Sequence, residues 1–258
     1  MDRKEITIFL TTKSSYLKWG NKRLADYFST TIEIIKQVRA TLIFNNNRYL
    51  VIPDLHMPFE HKEALEFCVD LKRRYDCNKI VFLGDLLDNH FASFHSISTK
   101  AKGGSEELSL AKEALKPWYK EFPDAKVCTS NHDSIPERKL EAGSIPKEWL
   151  RPINEVLGIH NWEFKDTWDF GTWVAIHGTD GKSIKNKLFK YGGNKSIIQG
   201  HFHTGTSIEY YNNDIWGCQL GALIDSKAYA FEYAKNFANC NINSAAVIIN
   251  GKPIIETL

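Results

Sequence analysis

"RYLVIPDLHMP", residues 48–58, decides how the chain reads. The apolar run Tyr49 to Ile52 has the texture of a buried strand, and Pro53, which cannot donate to a ladder, ends it. Asp54 and His56 follow at once. Side chains at i and i+2 of an extended chain face the same side. Asp54 and His56 are therefore expected to reach one ion, provided the extended geometry persists past Pro53.

Working outward, the same device recurs. The runs "KIVFLG" (79–84), "AKVCTS" (125–130), "TWVAIHG" (172–178) and "KSIIQG" (195–200) also read as strands. They lead into Asp85-Leu86-Leu87-Asp88, Asn131-His132-Asp133, His177-Gly178 and His201-Phe202-His203. "HKEALEFCVDLKRRY" (61–75) and "SEELSLAKEALKPWYKEF" (105–122) read as amphipathic helices. "EYYNNDIWGCQLG" and "SAAVIING" read as later hairpin strands, with turns at Asn212-Asn213-Asp214 and Asn250-Gly251. Alternating strands and helices, then more strands, predict an α/β body with mixed sheets. In open α/β sheets ligands gather outside the carboxyl ends of strands. Five strand ends thus point carboxylate, amide and imidazole groups toward one place. That mixture suits borderline divalent cations such as Mn, Fe, Zn or Ni, and no thiolate belongs to it. Seven donors exceed the needs of one tetrahedral ion. They suit two ions roughly 3.5–4 Å apart, the arrangement used for phosphate ester hydrolysis.

Composition excludes several classes. Of 258 residues, 43% are apolar and 25% charged, with a net charge of +2, so no global field argues for nucleic acid or a membrane. The five cysteines are scattered, without a C-x-x-C pair, and read as free thiols of a reducing compartment. No run approaches the ~20 apolar residues of a membrane span, and the N-terminus lacks a signal-peptide core. A cytoplasmic protein without a membrane partner is expected. "FNNNRY" (44–49) marks a boundary, predicting a small helical domain over 1–47 and the α/β body over 48–258. The first part holds eight Lys/Arg against four Asp/Glu. Leu24, Ala25 and Phe28 share one helix face there, and Ile32, Ile35, Val38 and Leu42 another. A helix-turn-helix that carries Lys36 and Arg39 outward, toward DNA, is one reading, and a plain three-helix cap is the other.

The series D-x-H, G-D-x-x-D, N-H-D, H-G, G-H-x-H resembles the calcineurin-like metallophosphoesterase superfamily over about residues 48–258. "WGCQLGALIDSKAYAFEYAK" (216–235) and the Gly-Lys of "HGTDGKS" resemble a phage and bacterial subgroup. The resemblance implies a four-layer αββα sandwich, two mixed sheets flanked by helices. It implies that Asp54, His56 and His203 hold a first metal, that Asp85 bridges, and that Asn131, His177 and His201 hold a second. Manganese is the first choice, with Fe, Zn and Ni as alternatives. His132 would stabilise the phosphate or protonate the leaving oxygen, with Asp88 orienting it through a hydrogen bond. Ser130 departs from the family's glycine, which puts the local turn in question. Arg138 and Lys182 are candidates for binding substrate phosphate, and the solvated-surface alternative stands beside each. His90 and His95 fall on a lid or helix after the second motif. Asp225 is expected either to be structural or to support a metal ligand through a hydrogen bond. Trp162, Trp168 and Trp173 read as core, and Cys128 as a strand residue.

The function these readings imply is metal-dependent hydrolysis of a phosphoester by activated water, as a phosphodiesterase of nucleic acid or nucleotides, a nuclease included. The alternatives are a phosphomonoesterase acting on nucleotide or protein, or a nucleic-acid-binding regulator with a vestigial site. Asn89, where phosphoprotein phosphatases carry Arg, lowers the protein phosphatase reading.

Overall fold

In the computed structural model the strand β1 (Arg48–Ile52) sorts its side chains to two cores. Residues 1–94, 97–181, 183–190, 195–231 and 241–258 are described. Leu50 and Ile52 face one side, Tyr49 and Val51 the other, and all four are buried. A strand apolar on both faces must be covered on both faces. The first sheet runs β11 (Lys252–Thr257), β10 (Ser244–Ile249), β1, β2 (Lys79–Phe82), β3 (Ala125–Cys128) and β4 (Trp162–Lys165). It is parallel from β1 to β4 and antiparallel through β10 and β11. The second sheet runs β5 (Thr167–Asp169), β6 (Trp173–Ile176), β7 (Ser196–Gln199), β9 (Trp216–Gln219) and β8 (Ser207–Tyr210), and it too is mixed.

Tyr49, Val51, Val81, Leu83, Ala246 and Ile248 of the first sheet pack against Trp168, Trp173, Ala175, Ile198, Trp216 and Cys218 of the second. Outside the first sheet, Leu50, Ile52, Phe82, Val127 and Val247 meet α4 (Ala64–Arg74) and α5 (Gly104–Glu121) through Cys68, Leu71, Ala111, Leu115 and Trp118. Outside the second, Val174 and Ile197 meet Ile184 and Leu188 of α8 (Ile184–Lys190). The period-2 alternation of each strand thus builds helix, sheet, sheet, helix, the four layers expected.

The short strands β4 and β5 lack an apolar run in sequence. The indole N–H groups secure this region, Trp162 donating to the Phe122 carbonyl and Trp168 to the Val127 carbonyl, each at 2.8 Å. Trp162, Trp168 and Trp173 are core residues, as read. Asn250 and Gly251 take left-handed angles in the β10–β11 hairpin, and Asn212 caps the β8–β9 turn by accepting from the amides of Asp214 and Ile215.

Residues 3–46 form α1 (Arg3–Thr12), α2 (Asn21–Phe28) and α3 (Ile32–Asn46) around a core of their own. Asp2 and Glu5 make a capping box on α1, and the Thr31 hydroxyl accepts from the Ile34 amide to start α3. Leu24, Ala25, Phe28, Ile35, Val38 and Leu42 are buried, whereas Ile32, at the first turn, is exposed. Arg39 corrects the sequence reading. Its guanidinium turns inward and donates to the Trp19 carbonyl, so only Lys36, beside Glu33, remains outward of the pair. Trp19 lies between helices, in an aromatic cluster with Phe9, Tyr16 and Tyr27, so no helical periodicity reports its carbonyl. Further helices α6 (Ile135–Ala142) and α7 (Ile153–Leu157) follow β3. Among the described residues no helix is long and apolar enough to cross a membrane.

Candidate metal centre

The seven residues read as ligands come from five strand ends on both sheets. Asp54 and His56 follow β1, Asp85 follows β2, Asn131 follows β3, His177 follows β6, and His201 and His203 follow β7. Two parallel bundles of strands therefore deliver their carboxyl ends to one seam.

The route taken by the first pair differs from the sequence expectation. Extended geometry does not persist past Pro53, since His56 has φ 50°. The amides of Leu55 and His56 both donate to the Asp85 carbonyl, at 3.0 and 2.8 Å, and this fork turns the chain. His201, at φ 71°, likewise sits in a turn rather than repeating a strand device. Asp85 and Asn89 are left-handed as well. Such angles are rare for residues with a Cβ, and here buried hydrogen bonds hold them.

Three clusters of donor groups result, in each of which one atom per residue lies within 4.8 Å of the others. Asp54, His56, Asp85 and His203 form the first. Asp85, His177 and His201 form the second. His56, Asp88 and His132 form the third. Asp85 belongs to two of them. Its Oδ2 lies 3.3 Å from His56 Nε2 and 3.3 Å from His177 Nε2. Asn131 presents its amide oxygen 2.9 Å from His177 Nε2, and His201 Nδ1 lies 3.2 Å from the same nitrogen.

The tautomers follow from the partners. A carbonyl only accepts, so His177 Nδ1 donates to Leu83 at 2.9 Å and its Nε2 carries the lone pair. His56 Nδ1 faces the Asp88 carboxylate at 2.7 Å, which leaves its Nε2 turned toward Asp85 and, at 3.1 Å, toward His203 Nε2. Lone pairs and carboxylate oxygens thus point at one another. Asp54 Oδ1 and Asp85 Oδ2 are buried and lack a hydrogen-bond partner. Such a set is stable only around protons or cations. Without a cation, protons would take that role. Burial opposes the imidazolium of His56, but Asp85 and Asp88 outweigh it and hold its pKa well above the ordinary range. Burial is likewise overcome at His177, where Asp85 and Asp54 raise the pKa to about 9. Burial opposes ionisation of Asp85, yet His177, His132 and His56 hold it well below the usual carboxylate range. Burial and the neighbouring His177 lower His201. A nitrogen and oxygen donor set, orphaned oxygens and fixed Nε2 lone pairs all fit a pair of borderline divalent cations.

Two glycines make room for this. A Cβ on Gly200 would lie 2.3 Å from Asp54 Oδ1, and one on Gly84 (φ 100°) would lie 2.7 Å from Ser130 Cβ and 2.8 Å from the Cys128 carbonyl.

His132, of the third cluster, has its ring edge-on to His56 at 4.5 Å between centroids. The orienting bond expected from the Asp88 side chain comes instead from its main chain. His132 Nδ1 donates to the Asp88 carbonyl at 2.6 Å, while the carboxylate stands 3.6 Å away and engages His56. Asp88 therefore faces His56, one of the seven candidate ligands, with its carboxylate, a contact the sequence reading missed although the D-x-x-D spacing marks the residue.

Ser130 raises no conflict, because it has no left-handed angle. Its hydroxyl donates to Asp133 Oδ2 at 2.7 Å. Asp133 also went unread as a site residue. Its buried carboxylate accepts from the amides of Leu86 (3.2 Å) and Leu87 (2.9 Å), tying the Asn131-His132 loop to the Asp85 loop. Burial and the nearby Asp85 raise its pKa. Arg138 lies on α6 with its guanidinium 4.5 Å from the Phe94 ring centroid, outside the clusters. Lys182 and His95 lie outside the described residues. His90 is buried, its amide donating to Glu107 at 2.7 Å and its Nε2 accepting from the Ser98 amide at 3.1 Å. Asp225 accepts from the Lys227 amide in an exposed turn. Cys128 is buried, and burial pushes its thiol up, so it is no nucleophile.

Similar solved structures include an archaeal phosphodiesterase (14% identity, TM-score 0.46, covering 82% of this chain and 99% of that one). A metallophosphoesterase from Sphaerobacter thermophilus is similar at 14% identity and TM-score 0.45, covering 82% of this chain and 88% of that one. The nuclease MPE of Pseudomonas putida is similar at 15% identity and TM-score 0.39, covering 81% and 87%. No protein-family model matches the chain, and no curated protein does. The chemistry of the site rests on the chain's own side chains.

Proposed function

We propose that the chain is a metal-dependent phosphoesterase that hydrolyses phosphodiesters, with nucleotides or nucleic acid as the substrate class. One observation carries the reading: Asp85 is common to two donor clusters, its Oδ2 equally distant from His56 Nε2 and His177 Nε2. Asp54, His56 and His203 would hold one divalent cation, Asn131, His177 and His201 the other, and Asp85 would bridge, with manganese the expected metal. When bound, such a pair supplies Lewis acidity, which brings the pKa of water toward neutrality and offsets charge on the phosphoryl oxygens.

The remaining steps belong to the chain. Asp88 holds His56 with Nε2 forward, and the Leu83 carbonyl does the same for His177. His132, with Nδ1 committed to the Asp88 carbonyl, keeps Nε2 for the substrate. Protonated, it donates to the leaving oxygen as the phosphorus–oxygen bond breaks. Arg138 is proposed to meet a substrate phosphate from α6, and Lys182 from the segment after His177. Residues 1–47 are proposed as a separate basic helical domain. With Arg39 turned inward, Lys36 alone of the predicted pair is left to meet a polyanion.

The test is hydrolysis of bis-p-nitrophenyl phosphate beside p-nitrophenyl phosphate, with Mn, Ni, Zn or Mg returned to metal-stripped protein. Metal-dependent preference for the diester is expected. Preference for the monoester would make it a phosphatase, and silence with every metal would sink the reading. Asp85→Asn should lower turnover by roughly 10²-fold or more, the scale of losing one charge-stabilising group, with the circular dichroism spectrum unchanged.

A further inference from the structure

One buried imidazole belongs to neither proposed metal set, yet it is fixed at its main chain, its ring face and both its nitrogens. His90 follows Asp88 and Asn89 and opens the short turn His90–Ala92. Its amide and that of Phe91 donate to the Glu107 carboxylate on α5, at 2.7 and 3.2 Å, and Glu107 is itself buried. Its ring stands edge-on to Tyr229, 5.5 Å between centroids.

The tautomer follows from these partners. An amide N–H only donates, so the Ser98 amide, 3.1 Å from His90 Nε2, requires a lone pair on that nitrogen. The ring therefore carries its proton on Nδ1. That nitrogen faces Asp88 Oδ2 at 3.6 Å. The other oxygen of the same carboxylate, Oδ1, meets His56 Nδ1 at 2.7 Å. Asp88 is thus a buried carboxylate with an imidazole N–H turned toward each oxygen. A buried charge is stable only with such groups around it. The 3.6 Å contact is too long for a hydrogen bond. It acts as a dipole facing a charge, and burial away from water strengthens it.

Resting on the metal-centre reading above, we propose that His90 is a positioning residue for the first metal. Its Nδ1–H holds the Asp88 carboxylate turned so that Oδ1 stays on His56 Nδ1. His56 in turn keeps Nε2 toward Asp85 and His203. The line of contacts runs from the Ser98 amide through His90, Asp88 and His56 to the cation. Outer partners that orient a ligand contribute roughly 10–100-fold in metal affinity, and His90, one contact further out than Asp88, belongs at about the lower end. Packing alone would not need this proton, since any ring of similar size meets Tyr229.

The experiment is competition for manganese between the full chain and a chelator. His90→Phe keeps a ring and removes the proton, whereas His90→Asn returns an amide N–H close to the place of Nδ1. His90→Phe is expected to bind manganese about tenfold more weakly than the parent, and His90→Asn to restore most of that loss. In an Asp88→Asn background the change His90→Phe should cost nothing further, because the carboxylate it acts on is gone. Parent-like binding by His90→Phe, an equal loss in both variants, or a full added loss on top of Asp88→Asn would each overturn the proposal. The parent gives a second reading that does not depend on how a variant folds. Long-range proton–nitrogen correlation in zinc-loaded protein with isotope-labelled histidine should show His90 protonated on Nδ1 alone, and a proton on Nε2 would overturn the proposal. Neither readout needs turnover. A chain that shows the expected pattern but hydrolyses no phosphoester keeps the role of His90 and loses the phosphoesterase reading. A chain that hydrolyses diesters while His90→Phe binds like the parent does the reverse, and a parent that takes up no divalent metal overturns both.

Discussion

At the scale of single residues, the site is governed by facing groups that cannot all keep their lone pairs unpartnered. His177 in the metal-free protein has its pKa raised to about 9, with Asp85 and Asp54 overcoming the cost of burial. A cation must displace that proton. Metal binding near neutrality should therefore release protons, seen in calorimetry as a heat that changes with the ionisation enthalpy of the buffer. A buffer-independent heat would contradict the assignment. The sign for stability follows too. A histidine raised in the folded state stabilises fully below its unfolded pKa of about 6.5. That contribution is lost as pH rises through about 9. Metal-stripped protein should accordingly unfold at progressively lower temperature across this window. Asp88→Asn tests the orienting role. It keeps the shape but loses the charge that faces His56 Nδ1, and should weaken metal binding roughly 10–100-fold in chelator competition.

At the scale of elements, strand ends matter more than strands. Motif residues were legible because each short apolar run stops at a polar side chain of the same kind. What turns those side chains inward was not legible. His56, Asp85 and His201 take left-handed angles because the Asp85 carbonyl, the Asp54 carboxylate and neighbouring amides hold them, and these partners are distant in sequence. The same distance hid Arg39, whose outward position was expected from α3 alone. Gly200, at the end of β7, gives the clearest test. A Cβ there would strike Asp54 Oδ1, so Gly200→Ala should push Asp54 aside and abolish metal uptake, as measured by metal content after dialysis, while the far-UV dichroism remains. Unchanged metal content would show that the carboxylate has room to move.

At the scale of the whole molecule, the donor set straddles the two sheets. Asp54, His56, Asp85 and Asn131 descend from the first sheet, and His177, His201 and His203 from the second. Cations bound at the seam would link sheets otherwise joined through the shared core of Tyr49, Val81, Trp173 and Trp216. At about 100 times the dissociation constant, a ligand specific to the folded state adds roughly 2.7 kcal/mol. Manganese should raise the unfolding temperature of stripped protein, and a chelator should reverse it. A metal-independent melt would mean the seam holds no cation. By itself, the sequence determined the mixed α/β body and the donor types, because strand–helix alternation and strand-end polarity are local patterns that survive without knowledge of partners. Only the tertiary structure decided which donors share a cluster, that Asp85 faces both Nε2 atoms, that Asp88 orients His56 with its carboxylate and His132 with its carbonyl, and that Asp133 joins the two loops. Those assignments depend on angles and contacts between residues tens to more than a hundred positions apart, and such distances are set by the packing of one sheet on the other.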